Sequence, residues 1–503
     1  MENYSSEEEL SDKVQERYYL PLITNFKKIH DSIHGYISVS NYACRIIDSK
    51  YFQQLRNKKQ LGTAYYVFPN AVHTRFEHSL GTYNFASRLM NCILQNTKQI
   101  HITDYLSKIK YLQNYYKYKY DSKPRLDKYI CELVKIAALC HDLGHGPFSH
   151  LFDDVFLPFV YKDNKDNGDY HKIKNITHEE RSANLIEKII KSDELLQKII
   201  LDSEIEFIKH IINPTKEDTG FLFQIVSNYL NGLDVDKYDY LIRDSRILGF
   251  NLSFDVSRLI DDILVVNNNI CYPEQVIFEI YNMFNLRYNL HKVVYSHKSV
   301  ISSQMIIIEI MNLIENNLKL SESINNLDKF ILYGDNTIFD FLNNYLLKDN
   351  SDNTDNKEPV PENISKALEL LDRLNKHQSY KFVDSIISKQ NLDITKETVI
   401  KGLDKKTQQL ISDDLIIYKT KIGLVSGDKQ HPLDSIYSYS TKSMLQKDIP
   451  DVKKIHIDDV SLLIPKVHQE YIIMFYIKSP DNKRAIKKLR ESLNKIKIML
   501  SPI

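Results

Sequence analysis

The chain has 503 residues, with 66 Lys and Arg against 66 Asp and Glu, so its formal net charge is zero. This length can bury a large hydrophobic core, and the charge balance excludes the global basic field that attracts nucleic acids. The five cysteines form no CxxC pair, which is typical of a reducing compartment. The acidic N-terminus is no targeting peptide, and no run of 18 apolar residues is present. We therefore expect an intracellular, cytoplasmic protein, with the nucleus left open and no membrane contact.

The N-terminal part begins with a segment, residues 1–24, that we predict to be a flexible acidic leader. Beyond it, the alternation of Tyr36–Val39 predicts a short strand, and Ser79–Leu94 has the spacing of a longer helix. His78 immediately precedes that helix. A capping or surface role would explain it, unless further metal-ligating residues lie elsewhere in the chain.

Residues 105–128 interleave aromatic and basic side chains, most densely in Tyr115–Tyr120. Aromatic stacking combined with positive charge is how single-stranded nucleic acids are held. A solvated surface excursion explains the same composition, and we favour that interpretation. Single-strand binding by this insert stays open as the alternative.

The stretch Tyr129–Asp154 is the densest group of chemically reactive side chains. Its apolar residues follow helical spacing and predict an amphipathic helix that ends at His141. Gly144 and Gly146 then break the helix, and His145 falls in the break.

A second helix is predicted directly after this break, with Pro147 in its first turn. Within it His150 and Asp153 are three residues apart, so their side chains can touch. Imidazoles and carboxylates gathered in this way suit a divalent ion of the Zn, Mn, Fe or Mg range. The stretch therefore predicts a metal-assisted hydrolytic site, although it is not an HExxH zincin helix.

Two later segments carry further candidates. Thr177–Glu180 opens a helix with the pattern of a capping box, and its N-terminal end favours phosphate binding. In residues 227–249, Asp236, Tyr240 and Asp244 recur every four residues and share one helical stripe. This stripe suits an N-cap followed by a surface face.

An alternative gives the same stripe a function. Asp236 could complete a metal set with His78 and the His141–Asp142 pair, and the neighbouring Lys237 and Arg243 would then meet a polyanionic substrate.

The C-terminal half is predicted to be mixed. Glu274–Ile314 is largely helical, and Arg287, His291 and Tyr295 form one stripe on it. Residues 349–362 are a low-complexity loop. The sequence further predicts two strands and a final amphipathic helix with a basic outer face, at Leu415–Thr420, Tyr471–Ile477 and Ile486–Ile496.

Five motifs together resemble the HD-domain dNTP triphosphohydrolases, above all the animal enzymes that carry a SAM domain before the HD domain. The motifs are IHDSIHG, KQLGTAYYVFPNAVHTRFEHSLG, LCHDLGHGPFSH, THEE and NGLDVDKYDYLIRD. The resemblance is strong over residues 25–300 and weaker to the end. The leader is too short to hold a SAM domain, so we expect none in this chain.

The resemblance implies a mainly α fold, with an all-helical HD catalytic core in residues 25–320 and a smaller α+β C-terminal lobe in residues 321–503. It implies dNTP catabolism, namely cleavage of a dNTP into deoxynucleoside and tripolyphosphate by a homo-oligomer, a dimer or tetramer. Two readings of other classes stay open: a nucleic-acid-binding protein, and an HD-type nuclease or phosphodiesterase that uses the Tyr/Lys-rich insert.

The resemblance also assigns roles to matched residues. A divalent ion, Zn, Fe or Mn, would be held by His78, His141, Asp142 and Asp236, with Mg²⁺ bridging the substrate phosphates. The catalytic group would be His145, His150, Asp153, His178 and Glu179. In this group the histidines surround the α-phosphate, and His150, oriented by Asp153, protonates the departing 5′ oxygen.

Substrate contacts follow in the same way. The triphosphate would meet Arg75, Lys237 and Arg287, and the sugar edge would meet Gln60 and Leu61. Asp244 would accept the 3′-OH, while Tyr240 and Tyr295 would crowd the 2′ position. His291 lies on the same stripe and joins the substrate-binding set.

A guanine-nucleotide activator, GTP or dGTP, is implied by two further groups of residues. Asp48, Gln53 and Arg56 match a guanine-reading pattern, although Asp48 could simply cap the next helix. A neighbouring nucleotide site is matched by Val67, Phe68, Arg258, His297 and Lys298. Around this second site several polar or basic residues of the family are replaced, so we expect the guanine response to survive and the second activator site to be weak, altered or absent. None of the departures, such as Thr63, Ala64 and Asn70 in place of glycines, removes a catalytic residue.

Overall fold

The computed structural model describes residues 23–166, 176–250, 254–349, 359–424, 431–444, 446–465, 467–479 and 483–500. Nearly all of the predicted leader and most of the predicted low-complexity loop at 349–362 lie outside these residues. Within the described ranges, no helix is long and apolar enough to cross a bilayer.

Helices dominate the fold, which confirms the predicted mainly α class. The longest are α3, α14 and α22, and the predicted helices at 79–94, 129–140 and 486–496 fall within α3, α6 and α22. The helices are α1 Asn41–Ile47, α2 Lys50–Gln53, α3 Arg75–Asn96, α4 Thr103–Ser107, α5 Gln113–Tyr120, α6 Lys128–Cys140, α7 Leu157–Asp166, α8 His178–Ser192, α9 Leu196–Ile199, α10 Asp202–Ile212, α11 Val235–Ile247, α12 Val256–Ile260, α13 Ile277–Leu290, α14 Lys298–Leu318, α15 Leu327–Phe330, α16 Asp335–Asp349, α17 Glu362–Asn375, α18 Lys396–Lys401, α19 Lys405–Ile411, α20 Thr441–Met444, α21 Ile457–Val460 and α22 Lys483–Leu500.

Three small sheets accompany the helices. The strands are β1 Asn25–Asp31, β2 Gly35–Ser40, β3 Leu264–Val266, β4 Asn269–Pro273, β5 Lys381–Ser388, β6 Leu415–Gly423, β7 Tyr437–Tyr439, β8 Val452–Lys454 and β9 Gln469–Ile477. β1 and β2 form a hairpin, and β5-β9-β6 form an antiparallel sheet against which α22 packs. All three strand predictions fall within β2, β6 and β9.

The remaining sheet joins the two halves of the chain. Its order is β3-β4-β7-β8, and β4 runs parallel to β7. The sequence did not predict its short strands, two of which belong to the predicted catalytic core. Because this sheet pairs residues from both sides of position 320, the domain boundary drawn there stays a prediction.

Helix α6 lies at the centre of the core. Nearly all of its residues are buried, including Glu132, and it packs against α3 and α10, while α3 also packs against α11. A helix that is apolar on most faces must be covered on most faces. The C-terminal end of α6 therefore delivers His141 into the interior, beside the helices that carry the other predicted ligands.

The Tyr/Lys-rich insert is part of this core. Four of its aromatic rings are buried in the main apolar cluster: Tyr105, Tyr111, Tyr115 and Tyr116. The hydroxyls of Tyr115 and Tyr120 both donate to Asp127, which also caps α6. The expectation of a solvated excursion is wrong for these four tyrosines, because the insert covers α6 and α10 instead of projecting from them. Their rings are equally unable to stack on nucleic-acid bases.

Candidate active site

Three separate segments bring the four predicted metal ligands together. His78 lies in the first turn of α3, His141 and Asp142 follow α6, and Asp236 lies near the start of α11. The His78 Nε2 atom is 3.1 Å from Asp236 Oδ1 and 3.5 Å from Asp142 Oδ2. The His141 Nε2 atom is 3.4 Å from Asp142 Oδ1 and 3.5 Å from Asp236 Oδ1. Two imidazole nitrogens and two carboxylates thus converge on one point.

The donor set fits a divalent cation. Both Nε2 atoms are buried, and neither has a hydrogen-bond partner among the described residues. The His141 Nδ1–H donates to the Ala138 carbonyl at 2.7 Å, and the His78 Nδ1–H donates to Asp239 at 2.8 Å. In their neutral form, which is the form that binds a metal, both rings would carry their protons on Nδ1 and aim the Nε2 lone pairs at the shared point. Burial lowers the pKa of His78, but the Asp236 and Asp239 carboxylates raise it to about 10, so the site attracts positive charge.

A buried network holds Asp239 behind the ligands. Arg243 donates to both Asp239 oxygens at 2.8 and 3.1 Å and to Asp31 at 2.8 Å, and the His34 Nε2 atom lies 2.6 Å from Asp239. A Cβ at Gly81 would lie 1.8 Å from the Asp239 carboxylate, so only glycine allows this approach. The expectation that Arg243 meets a polyanionic substrate is wrong, because its guanidinium is buried between two carboxylates. The i, i+4 spacing of Asp239 and Arg243 was the sequence signal for this pair.

Beside the ligands lies a group of three imidazoles. The ring centroids of His145 and His178 are 4.0 Å apart and nearly parallel, and the His150 ring is 4.9 Å from His145 and 5.6 Å from His178. The His145 Nε2 atom is 3.4 Å from Asp142, which links this group to the predicted metal ligands. Glu179 lies 3.1 Å from the His178 Nε2 atom.

The predicted pairing of His150 with Asp153 is wrong. Asp153 lies 3.0 Å from the Nδ1 atom of His145, and the His150 Nδ1 atom is instead 3.2 Å from Asp154. The helix begins at His150 and not at Pro147, and it continues as a π-helical turn over Phe152–Phe156. This wider turn directs the Asp153 carboxylate away from His150, and π turns of this kind are frequent at functional sites.

Asp153 also receives a cation that sequence reasoning missed. Arg181, fully buried on α8, donates to Asp153 and to the Gly144 and Ile176 carbonyls. It follows the THEE motif directly, which was the available signal. Arg181 thereby ties the start of α8, with His178, to the loop that carries His145.

The three imidazoles differ in proton affinity. Burial lowers the pKa of His145, and the nearby Arg75 guanidinium lowers it further. Burial and the two neighbouring imidazoles lower the pKa of His178. Desolvation lowers the pKa of His150 too, but the Asp154 and Asp153 carboxylates together raise it above its usual value. His150 is therefore the best proton carrier of the three at neutral pH.

A cavity of about 1160 Å³ opens onto this group and extends between the core and the C-terminal part. Tyr418 and Thr420 of β6 are among the residues that line it. Of the predicted site residues, those that line the cavity are Gln60, Leu61, Arg75, His141, Asp142, His145, His150, His178, Glu179, Asp236, Lys237, Tyr240, Asp244, Arg287, His291 and Tyr295. His78 and Asp153 lie behind its wall.

The end of the cavity predicted to hold a sugar is organised around Asp244. The Tyr295 hydroxyl donates to Asp244 Oδ2 at 2.6 Å, and His73 Nε2 lies 2.7 Å from Oδ1. Tyr295 and His291 occupy a second π turn, His291–Tyr295, and their rings meet edge to face. Sequence reasoning missed His73, although it stands two residues before Arg75 in the matched motif.

The cationic side chains predicted to bind the triphosphate make hydrogen bonds within the protein. Arg75 donates to Asp142 and to Ser149. The Lys237 ammonium donates to Asp234 at 2.8 Å, and Arg287 donates to the Gly423 carbonyl at the end of β6. The C-terminal lobe thus contacts a predicted substrate-binding residue directly.

The predicted guanine-reading residues lie together at the surface. Asp48 is exposed at the C-terminal end of α1, Arg56 donates to Gln53 at 2.8 Å, and Gln53 donates to the Ile47 carbonyl. The alternative role for Asp48 is wrong, because the Ser49 hydroxyl caps α2.

The second predicted nucleotide group is only partly assembled. The Phe68 ring lies 5.7 Å from His297, which caps α14, and Val67 is half-buried beside Phe68. Lys298 lies over the Phe382 ring, and Arg258 is exposed on α12.

Comparison with known proteins identifies a matching family profile and several relatives of this chain. A profile of the HD domain matches residues 118–241. An HD domain-containing protein of Acanthamoeba polyphaga mimivirus is 38% identical over 448 residues, 87% of each chain. The deoxynucleoside triphosphate triphosphohydrolase SAMHD1 homolog of Dictyostelium discoideum is 30% identical over 475 residues, 93% of this chain and 81% of that one. The SAMHD1 deoxynucleoside triphosphate triphosphohydrolase of Bos taurus is 31% identical over 501 residues, 91% and 76% of the two chains.

Proposed function

Because the chain belongs to the HD-domain family of SAMHD1-type deoxynucleoside triphosphate triphosphohydrolases, we propose that it hydrolyses dNTPs to deoxynucleoside and tripolyphosphate with a divalent metal ion. The observation that carries this proposal is the convergence of the His78 and His141 Nε2 lone pairs with two carboxylates, beside a group of three imidazoles. Zn, Fe or Mn suits this mixed nitrogen and oxygen donor set.

The ion would be held by His78, His141, Asp142 and Asp236, and when bound it would lower the pKa of water and polarise a phosphoryl oxygen. Arg75 would contact the phosphates while fixing Asp142 in place. His145 and His178, with lowered pKa values, would meet the α-phosphate as neutral hydrogen-bonding groups. His150 would donate its proton to the departing 5′ oxygen.

The same cavity would select the sugar. The Asp244 carboxylate, held by His73 and Tyr295, would accept a hydrogen bond from the 3′-OH. The Tyr295 and Tyr240 rings would leave no room for a 2′-OH, and Lys237 and Arg287 would balance the charge of the triphosphate, accompanied by Mg²⁺.

The product test separates this reaction from other nucleotide hydrolyses. Incubation of the pure protein with dATP and Mg²⁺ or Mn²⁺ is expected to yield deoxyadenosine and intact tripolyphosphate, resolved by anion exchange and ³¹P NMR. Orthophosphate with dADP, or pyrophosphate with dAMP, would place the attack at another phosphorus and refute the proposal.

A second prediction concerns the sugar pocket. Loss of a buried hydrogen-bond partner costs about 1–3 kcal/mol, so Asp244→Ala should lower kcat/KM for dATP by roughly tenfold or more. His73→Ala, which frees one Asp244 oxygen without removing it, should have the smaller effect. Steady-state kinetics with dATP and ATP measure both variants, and equal hydrolysis of the two nucleotides by the unchanged protein would contradict the steric role of the tyrosines.

The nucleic-acid alternative has weaker support. Its stacking platform required exposed tyrosines, and four of the insert's rings are buried. Exposed cations such as Lys117 and Lys123 remain, but charge alone does not distinguish a binding site from a solvated face.

A third prediction concerns activation by guanine nucleotides. Asp48 is exposed and its side chain does not cap α2. Its carboxylate could therefore accept two hydrogen bonds from the guanine edge, whereas the acceptor N1 of adenine would repel it. We expect dGTP to increase dATP turnover and to favour a dimer or tetramer, and Asp48→Asn to abolish both responses while basal turnover persists. Sedimentation velocity and kinetics with and without dGTP measure this, and an unchanged oligomer and rate in the wild type would show that the Asp48 site is not regulatory.

A further inference from the structure

The loop between α6 and the helix that begins at His150 has a strained backbone. Phe148 and Ser149 are consecutive non-glycine residues with left-handed φ values of 58° and 61°. Side chains other than glycine disfavour this region, so contacts outside the loop must maintain it. The loop joins Asp142 and His145 to His150, and its shape sets the distance between the metal ligands and the imidazoles.

Asp335, the first residue of α16, supplies such a contact. It is fully buried. One carboxylate oxygen accepts the Phe148 N–H at 2.6 Å, and the other accepts the Lys59 N–H at 2.9 Å. A Cβ at Gly334 would lie 2.8 Å from the Cβ of Asn57, so the chain before Asp335 is seated tightly against the segment that it holds. Asp335 comes from the part of the chain predicted as the C-terminal lobe, far in sequence from every catalytic motif.

Other hydrogen bonds hold the same loop together with Asp335. The Ser149 hydroxyl donates to the Lys59 carbonyl at 2.8 Å, and Arg75 donates to the same hydroxyl at 2.9 Å and to Asp142. On the inner side, the buried Lys58 ammonium donates to the His145 carbonyl. These hydrogen bonds hold the loop at His145, Phe148 and Ser149. Of these hydrogen bonds, the one at Phe148 comes from the lobe, whose Phe339 ring also lies 5.7 Å from the Phe148 ring.

We propose that Asp335 is a positioning residue, which fixes the Phe148–Ser149 turn and thereby places His145 and His150 relative to the metal ligands. Asp335 does not line the cavity, so it acts through the loop and not on the substrate. The expected loss of dNTP hydrolysis rests on the proposed function, whereas the expected anchoring of the loop by Asp335 does not.

The test is Asp335→Asn, which keeps the shape of the side chain. It replaces one accepting oxygen with an NH₂ group, which cannot accept a hydrogen bond from the backbone N–H that it faces. Because displacement of catalytic groups by about 1 Å can cost a hundredfold in rate, kcat for dATP should fall roughly 10- to 100-fold. KM should change less than about threefold, because the Gln60 N–H is held independently by the His73 carbonyl. Bound metal should be unchanged, and hydrogen exchange should accelerate in residues 145–151 and at the Lys59 amide, the second donor to Asp335.

Asp328→Asn is the matched control. Asp328 lies in the same segment and also binds the core, through Lys50, Tyr51 and Lys188, but these contacts are at the surface and away from the loop. It should reduce thermal stability without lowering kcat or altering exchange in residues 145–151. Unchanged kcat in Asp335→Asn, or an equal loss in both variants, would overturn the proposal.

Two outcomes need a separate readout. If Asp335→Asn does not fold, exchange of the Phe148 amide in the wild type decides: we expect slow exchange, and exchange as fast as in open turns would overturn the inference. If the wild type does not hydrolyse dNTPs, the proposed function fails alone, and slow Phe148 exchange that is lost in Asp335→Asn would still support the anchoring role.

Discussion

Asp236→Ala is expected to remove both the bound metal and the turnover of the enzyme. Asp236 contributes one of two carboxylates to the donor set, and its loss leaves His78 and His141 facing Asp142 alone. A metal ion supplies several kcal/mol of transition-state stabilisation, so dATP hydrolysis should fall by about a thousandfold or more. Metal content by inductively coupled plasma mass spectrometry, and the rise in Tm on adding Mn²⁺, report binding without relying on activity.

Two further variants test this prediction, one with an expected intermediate effect and one as a control. Asp239→Asn keeps all four ligands but weakens the hold on His78, so metal affinity should fall about 10- to 100-fold. Asp218→Ala is the matched control, since it removes another carboxylate paired with a histidine, His210 at 2.7 Å, and touches none of the predicted ligands. Metal content and turnover in Asp236→Ala equal to those of Asp218→Ala would exclude Asp236 as a ligand.

The sequence predicted His141 and Asp236 as ligand candidates because each stands at a helix end with a simple periodic pattern. His141 ends an apolar stripe, and Asp236 begins a stripe of period four that continues to Tyr240 and Asp244. Such spacing depends only on regular α-helical geometry, and α6 and α11 have that geometry.

The pattern failed where the backbone is irregular. The π turn at Phe152–Phe156 changes which carboxylate faces His150, and neither periodicity nor propensity signals such a turn. Long-range contacts were equally hidden: His73 with Asp244, and Asp335 with Phe148, are 171 and 187 residues apart. A sequence fixes these pairs only through the complete packing of the core, as it also does for the tyrosines buried in the insert.

His150→Ala is expected to abolish protonation of the leaving group while substrate binding survives. General acid catalysis contributes roughly 100- to 10,000-fold, so kcat for dATP should fall within that range. A dNTP analogue with sulfur in place of the bridging 5′ oxygen leaves as a thiolate and needs no proton. Its hydrolysis should be nearly equal in the wild type and in His150→Ala, and an equally large loss for both substrates would assign His150 to another role.

The two neighbouring aspartates distinguish the observed pairing from the one expected from spacing. Asp154 raises the pKa of His150, so Asp154→Asn should lower that pKa. Because the acid must be protonated, activity is lost as pH rises through its pKa, and the basic limb of the kcat–pH profile should move to lower pH. Asp153→Asn should move this limb less, because Asp153 raises the pKa of His150 through its charge alone and not through a hydrogen bond. It should instead lower kcat at all pH values, because Asp153 holds His145 and Arg181. A shift of the basic limb in Asp153→Asn, and none in Asp154→Asn, would restore the pairing predicted from the i, i+3 spacing.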